Sequence, residues 1–206
     1  MSPNYNNIAN VYDQISFWVF GNILMKSQTC LCKHIAPKSK ILIVGGGTGK
    51  LLEEITKIHK SGLNITYVDS SVKMINKAKR RNIGENNIEY ITIPIESYLP
   101  RFSFDIIITP FFLDNFNETA FIEIWNILHN NLKKGGLWLN ADFNQPMKMY
   151  HKFLLKTMFL FFRFTCGVET KKLPDIKQYF NKYSYQLIEE NKFNDNFISS
   201  VVYWKQ

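Results

Sequence analysis

Residues 41–55 read ILIVGGGTGKLLEEI, and this stretch decides the fold. Ile41 to Val44 form a short apolar run of the kind that builds a strand buried on both faces. Three glycines and a Gly49 follow at once. Leu51, Leu52, Ile55 and Ile58 then recur at helical spacing. A strand that runs through glycines straight into a helix leaves free N–H groups and a partial positive charge at the turn. Gly45, Gly47 and Gly49 have the spacing G-x-G-x-G. They permit positive φ and let a ligand lie against the main chain. The arrangement suits a polar or anionic ligand end such as a carboxylate.

Two other glycine loops are excluded by register. A phosphate loop ending at Gly49-Lys50 would need glycine at Val44 and a hydroxyl residue at Leu51, and has neither. A dinucleotide fingerprint started at Gly45 needs its third glycine at Lys50; started at Gly46 it meets Thr48 instead of glycine. Asp69 stands about 20 residues beyond the loop, where a second strand over 64–68 ends. A carboxylate there is acceptor-only and matches the two hydroxyl donors of a ribose.

Outward from this core the pattern stays regular. Strands are expected over Lys40–Val44, 64–68, 88–93, 104–109 and 137–142. Helices are expected over 48–59, from a Ser70 or Ser71 cap to Arg81, and over 118–132. Lys133-Lys134-Gly135-Gly136 is expected to end the last of these. Such alternation demands a parallel sheet with right-handed crossovers. Upstream, residues 5–35 read as helix broken near Gly21. Downstream come helices over 147–164 and 174–183, then a hairpin of 185–193 and 197–204 about the turn Asn194-Asp195-Asn196. The expected fold is a Rossmann-like α/β domain: a seven-stranded, mostly parallel sheet, helices on both faces, and a C-terminal antiparallel hairpin. One domain over 1–206 is expected, with a helical cap at 1–36, a ligand-binding core at 37–143 and a second cap with the hairpin at 144–206.

Composition agrees with a globular chain. Of 206 residues, 46% are hydrophobic and 20% charged, which excludes a disordered chain. The 17 Phe and 10 Tyr fill a core or line an aromatic pocket. The net charge of +8 comes from scattered lysines with no run of five, so a solvated surface explains it without nucleic acid. Cys30, Cys32 and Cys166 have neither zinc nor disulfide spacing, and no metal site is expected. The leading segment 1–10 is polar and has no apolar signal core. The expectation is a reduced, cytoplasmic protein. Residues 153–164, FLLKTMFLFFRF, fall short of the ~20 apolar residues that span a bilayer, and Lys156 and Arg163 interrupt them.

At this point the sequence resembles the class I S-adenosylmethionine (SAM)-dependent methyltransferases. Residues 41–51 resemble the family's glycine motif, Tyr67-Val68-Asp69 its ribose-binding motif, FDIIITP at Phe104–Pro110 its fourth-strand motif, and LKKGGL at 132–137 the lead into its fifth strand. The opening YNNIANVYDQISFWVFG resembles the cofactor-covering helices of the ubiquinone/menaquinone-type branch. Two positions depart from the pattern. Val44 stands where the family often has an acidic residue, and Pro94-Ile95-Glu96 stands where it often has Asp and a small residue.

The resemblance implies SAM as cofactor, held by Gly45, Gly46, Gly47, Gly49, Asp69, Ser70, Ile95, Glu96, Thr109, Pro110 and Tyr12. Tyr5 would help to close the cover, and Phe111 and Phe112 would wall the pocket. It implies methyl transfer to a small apolar or aromatic acceptor: a quinone, phenol or lipid-like metabolite. Asp114, just past the fourth strand, and His151, at the start of the variable helix, are the candidate bases. The expected state is a monomer or homodimer, with peripheral membrane contact as a secondary expectation through the Phe-rich helix. The rival readings are RNA or protein methylation, for which the chain has no nucleic-acid module, and a non-catalytic SAM-binding scaffold, which the missing acid at Val44 keeps open.

Overall fold

A computed structural model describes residues 3–206; Met1 and Ser2 of the polar leading segment lie outside the described residues. Five parallel strands form the frame: β1 (Lys40–Val44), β2 (Ser61–Val68), β3 (Glu85–Ile91), β4 (Phe104–Pro110) and β5 (Leu132–Phe143). The final pair, β6 (Gln186–Phe193) and β7 (Ile198–Trp204), completes a seven-stranded sheet in the order β3-β2-β1-β4-β5-β7-β6. Only β7 runs against its neighbours. The hairpin turn takes three consecutive left-handed residues, Asn194, Asp195 and Asn196. Asn and Asp tolerate that region better than other side chains do.

The period of two along β1 divides the core. Leu42 and Val44 join one cluster with Trp125, Trp138 and Phe180, while Ile41 and Ile43 join the other with Leu52, Ile55 and Tyr67. Helices therefore cover both faces: α3 (Lys50–Ile58) and α4 (Val72–Ala78) belong to the second cluster, and α5 (Glu118–Asn131) and α7 (Ile176–Lys182) to the first. Ser71 caps α4, its Oγ accepting from Met74 N–H at 3.2 Å, and Asn117 caps α5 in the same way at 3.1 Å.

The boundaries differ from expectation in instructive places. Residues 5–35 are broken into α1 (Tyr12–Phe20), α2 (Ile23–Thr29) and short 3-10 turns at Tyr5–Asn7 and Cys32–His34. The Lys133-Lys134-Gly135-Gly136 stretch does not follow the helix as a loop: α5 gives way directly to β5, which pairs Leu132 with Phe104 and, across a register shift, Leu137 with Ile106. The helix ends where the sequence signals it, and sheet pairing makes the stop itself the start of the strand. β3 starts and ends earlier than read, and α4 stops at Ala78, before Arg81. The Phe-rich helix α6 spans Met149–Cys166. No helix among the described residues is long and apolar enough to cross a membrane.

β1 has β2 on one side and β4 on the other, so the chain reverses its direction of winding between β1 and β4. In open α/β sheets a ligand crevice opens at the carboxyl ends of the strands at such a switch point. Here the glycine loop and the turn after Pro110 stand on either side of it.

Candidate active site

The glycine loop is shaped by what lies beneath it. Gly45, Gly47 and Gly49 all have positive φ. Gly46 does not, yet a Cβ there would come within 2.4 Å of the Tyr67 hydroxyl. The Tyr67 ring is wholly buried under the loop and donates to the Gly47 carbonyl at 3.1 Å. Gly47 is the opposite case: nothing lies within 4 Å of where its Cβ would be, so its left-handed backbone faces open room.

Asp69, at the end of β2, bonds to this loop. Gly47 N–H donates to its Oδ2 at 3.1 Å and Ser71 N–H to its Oδ1 at 2.8 Å. Each oxygen keeps a lone pair for a further donor. Burial pushes the carboxyl up to about 6, against the two amide donors that hold it down.

The cleft beside the loop is lined by Gly45, Gly47, Asp69, Ser70, Ile95, Pro110 and Tyr12, seven of the predicted cofactor residues, together with Tyr5, Phe111 and Phe112. Four predicted residues do not line it. Thr109 is fully buried, donating to Asn140 and accepting from Trp138 Nε1, so its hydroxyl serves the sheet. Gly49 heads α3, where a Cβ would strike Ala78. Glu96 follows Ile95 in a 3-10 turn but is not part of the lining. Gly46 lines a neighbouring cavity on the α2 side.

His151 is a larger departure. It is fully buried, stacked at 4.4 Å on Phe197, with neither ring nitrogen hydrogen-bonded, and lines neither the cleft nor the cavity between α1 and α6. Its place on the inner face of α6 makes it a packing residue and removes it as a base.

The cover is the N-terminal segment, latched at two points. Asp13 on α1 accepts from Thr48 Oγ1 at 2.8 Å and from Arg81 Nη2 at 3.3 Å; Arg81 Nε also donates to the Thr48 carbonyl at 2.9 Å. On the other side Tyr5 donates to Asn115 Oδ1 at 2.5 Å, and Asn115 Nδ2 donates to Asp114 Oδ1 at 2.7 Å. The sequence offered no sign of Asp13 or Asn115, because their partners are 35 or more residues away. With the cover closed, the cleft holds only about 70 Å³. Small-molecule sites run to about 300–1,000 Å³, so the closed cleft is smaller than a typical ligand site.

A second cavity, of about 260 Å³, lies between α1 and α6. Its walls are mostly apolar, among them Val19, Phe20, Met158, Phe159 and Phe162, and Asp114 is the carboxylate among them. Tyr5, Tyr12, Phe111 and Asn115 line both cavities and so form the partition. Phe111 holds a φ of 50°, an unusual conformation for an aromatic residue, fixed by its N–H bond to the Ala141 carbonyl at 2.7 Å. The strain sits where the two cavities meet.

Comparison with known proteins decides the family. Residues 42–138 match a model of a methyltransferase domain. The ubiquinone/menaquinone biosynthesis C-methyltransferase UbiE of Wigglesworthia glossinidia brevipalpis is 31% identical over 195 residues, covering 91% of this chain and 73% of that protein. The chain belongs to the class I SAM-dependent methyltransferases, in the UbiE-type branch. The Vibrio vulnificus (strain YJ016) UbiE is 28% identical, with 69% of this chain matched but 56% of that protein. Among solved structures, a DhpI complex with S-adenosylhomocysteine superposes with a TM-score of 0.69 at 13% identity, covering 98% of this chain and 93% of the other. The Burkholderia thailandensis 1,6-didemethyltoxoflavin-N1-methyltransferase does so at 0.67 and 12%, covering 97% and 85%. These likenesses share the fold. This methyltransferase uses SAM, and the residues of its cleft suit that molecule: an acceptor-only carboxylate for the ribose, an open glycine for a main-chain contact, and apolar Ile95 for a base face.

Proposed function

We propose that this enzyme methylates a small apolar acceptor with an aromatic or quinol ring, seated between α1 and α6. The observation that carries the reading is the shared partition: the mostly apolar cavity abuts the glycine-loop cleft at Tyr5, Tyr12, Phe111 and Asn115. The role of the UbiE relatives, C-methylation in ubiquinone and menaquinone biosynthesis, supports a quinone precursor.

In this reading Asp69 grips the ribose hydroxyls, Gly45 and Gly47 face the amino-acid end, and Ile95 packs on the adenine. Ser70, Pro110 and Tyr12 complete the pocket. When bound, SAM supplies a methyl group on a sulfonium, already activated for displacement. The chain's task is then to align and to exclude water. Fixing two reactants in line is worth roughly 7–11 kcal/mol. Tyr5 and Tyr12 close the cover, and Phe111 sets the line between the two cavities. Asp114 is the group on the acceptor side able to take up a proton.

This reading takes 1–206 as one domain, with a helical cap at 1–36, a ligand-binding core at 37–143 and a second cap with the hairpin at 144–206. Helices α1 and α6 carry exposed apolar side chains, Trp18 on α1 and Phe153 and Phe164 on α6, with Lys152, Lys156 and Arg163 near them along α6. Aromatic and basic residues together suit an anionic bilayer surface, from which an apolar acceptor would be drawn.

Calorimetry with SAM, S-adenosylhomocysteine and NAD tests the donor side. A turnover assay with naphthols, phenols and bulk tRNA, read as S-adenosylhomocysteine release, tests the acceptor side. Turnover on tRNA without turnover on any ring hydroxyl would overturn the reading.

A further inference from the structure

Asp114 does not stand alone in the apolar cavity. Behind it, at the end of β5, Asp142 is 2% exposed; its Oδ1 accepts from Phe143 N–H at 3.0 Å, and its Oδ2 is buried with no ordinary donor. At the ends of the neighbouring strands β4 and β5 the two buried carboxyl groups are close enough to perturb each other's titration. Two ionised carboxylates are acceptor-only and repel, so such a pair is relieved by one proton, for which the unpartnered Asp142 Oδ2 is an open acceptor. No Lys, Arg or His lines the apolar cavity; the titratable groups facing Asp114 from α1 and the N-terminal turn are Tyr12 and Tyr5. On its far side Asp142 lines a separate polar cavity of about 190 Å³, shared with Asp175, Lys177 and Glu190. The pair thus has the apolar cavity on one side and the polar one on the other.

We propose that Asp114 and Asp142 share one proton and carry the proton released by the acceptor out of the apolar cavity into the polar one. This rests on the assignment of the apolar cavity to the acceptor. The balance closes. As the bond from the acceptor atom to the methyl carbon forms, the S–CH3 electron pair stays on sulfur and cancels the sulfonium charge. The acceptor's C–H or O–H electrons stay on the acceptor, and its proton passes to Asp114. The pair goes from one proton and a charge of −1 to two protons and no charge. Asp142 then releases a proton on the polar side, restoring the starting state. Asp114 is the proton acceptor; Asp142 is a positioning and relay residue. Burial pushes Asp114 up to about 7, and burial together with the charge of Asp114 also pushes Asp142 well above the usual carboxylate range, which suits a pair that holds one proton near neutrality.

Carbon-13 NMR of labelled aspartates in the full chain tests the sharing without any turnover. Two separated steps are expected for the pair, the upper one at or above neutrality. Asp142→Asn should leave one step, at least one pH unit lower, and Asp114→Asn should likewise lower Asp142. Wild-type carboxyls that titrate together in the ordinary carboxylate range would overturn the proposal, as would Asp142→Asn leaving Asp114 unmoved.

The relay is read with SAM and a naphthol probe. Asp142→Asn should move the acid limb of the kcat profile at least one pH unit lower and reduce the maximum several-fold, with KM and SAM affinity unchanged. An unshifted profile overturns the relay. Met158→Arg, placed to fill the apolar cavity, separates the underlying assignment: turnover that survives it removes the cavity as acceptor site and the proposal with it, while the donor site stands.

Discussion

The two halves of the active site are built on opposite principles. The donor half is main chain and one carboxylate: the loop at Gly45 to Gly47, its floor at Tyr67, and Asp69 held by two backbone N–H groups. The proposed acceptor half is built mostly of side chains, an apolar chamber between α1 and α6 with Asp114 in its wall. A ligand with fixed chemistry can be held by backbone geometry, which tolerates little change. A variable acceptor is met by side chains, which can be exchanged without disturbing the frame. The difference teaches that donor-side substitutions should act on binding and folding together, and acceptor-side substitutions on selectivity and pH.

The largest expected effect breaks the donor half. Asp69→Ala removes an ionised acceptor from two ligand hydroxyls; hydrogen bonds to charged groups are worth about 1.5–3 kcal/mol each. SAM should bind at least about 100-fold more weakly by calorimetry. Equal affinity would remove the ribose assignment.

Gly46→Ala comes next. The new methyl meets the Tyr67 ring at 2.4–2.5 Å, and overpacking of this kind costs roughly 1–3 kcal/mol. A lower denaturation midpoint and weaker SAM binding should appear together. Trimming the floor with Tyr67→Leu in the same chain should restore part of the affinity.

A third measurement separates the halves by pH. Asp69 must be ionised to accept two hydroxyls, and burial places it at about 6. SAM affinity should therefore fall towards tenfold per pH unit below 6, and Asp142→Asn should leave that dependence untouched.

Stability gives a fourth contrast. Asp114 and Asp142 titrate above their ordinary value in the folded chain, so the folded state binds more protons than the unfolded state between about 4 and 7. Stability from the pair is present below about 4 and is lost as pH rises through that window, by up to ~1.4 kcal/mol per unit per group. Asp142→Asn should flatten the slope and raise the melting temperature at pH 8 relative to pH 5. A chain in which the substitution leaves the slope unchanged would show the pair to be ordinary surface-like acids.

The smallest effect concerns the outer rim. Replacing Trp18 and Phe164, 85% and 81% exposed, by Ser should reduce sedimentation with anionic vesicles several-fold. Folding and SAM affinity should not change.

Residues 41–55, with Asp69, were enough to locate the proposed donor half. A buried strand, a glycine turn and an amphipathic helix are local conformations, so contiguous residues specify them, and Asp69 follows at a spacing fixed by one helix and one strand. The short continuous apolar run at 41–44 likewise announced a sheet covered on both faces. Only the tertiary structure decided the acceptor half. The order of strands brings Asp114 at the end of β4 beside Asp142 at the end of β5, and the N-terminal turn crosses 110 residues of chain to join Tyr5 to Asn115. The same packing turned His151 inward onto Phe197 and Thr109 into the sheet. Which side chain faces a cavity depends on what is packed against it from distant chain, and no local pattern carries that information.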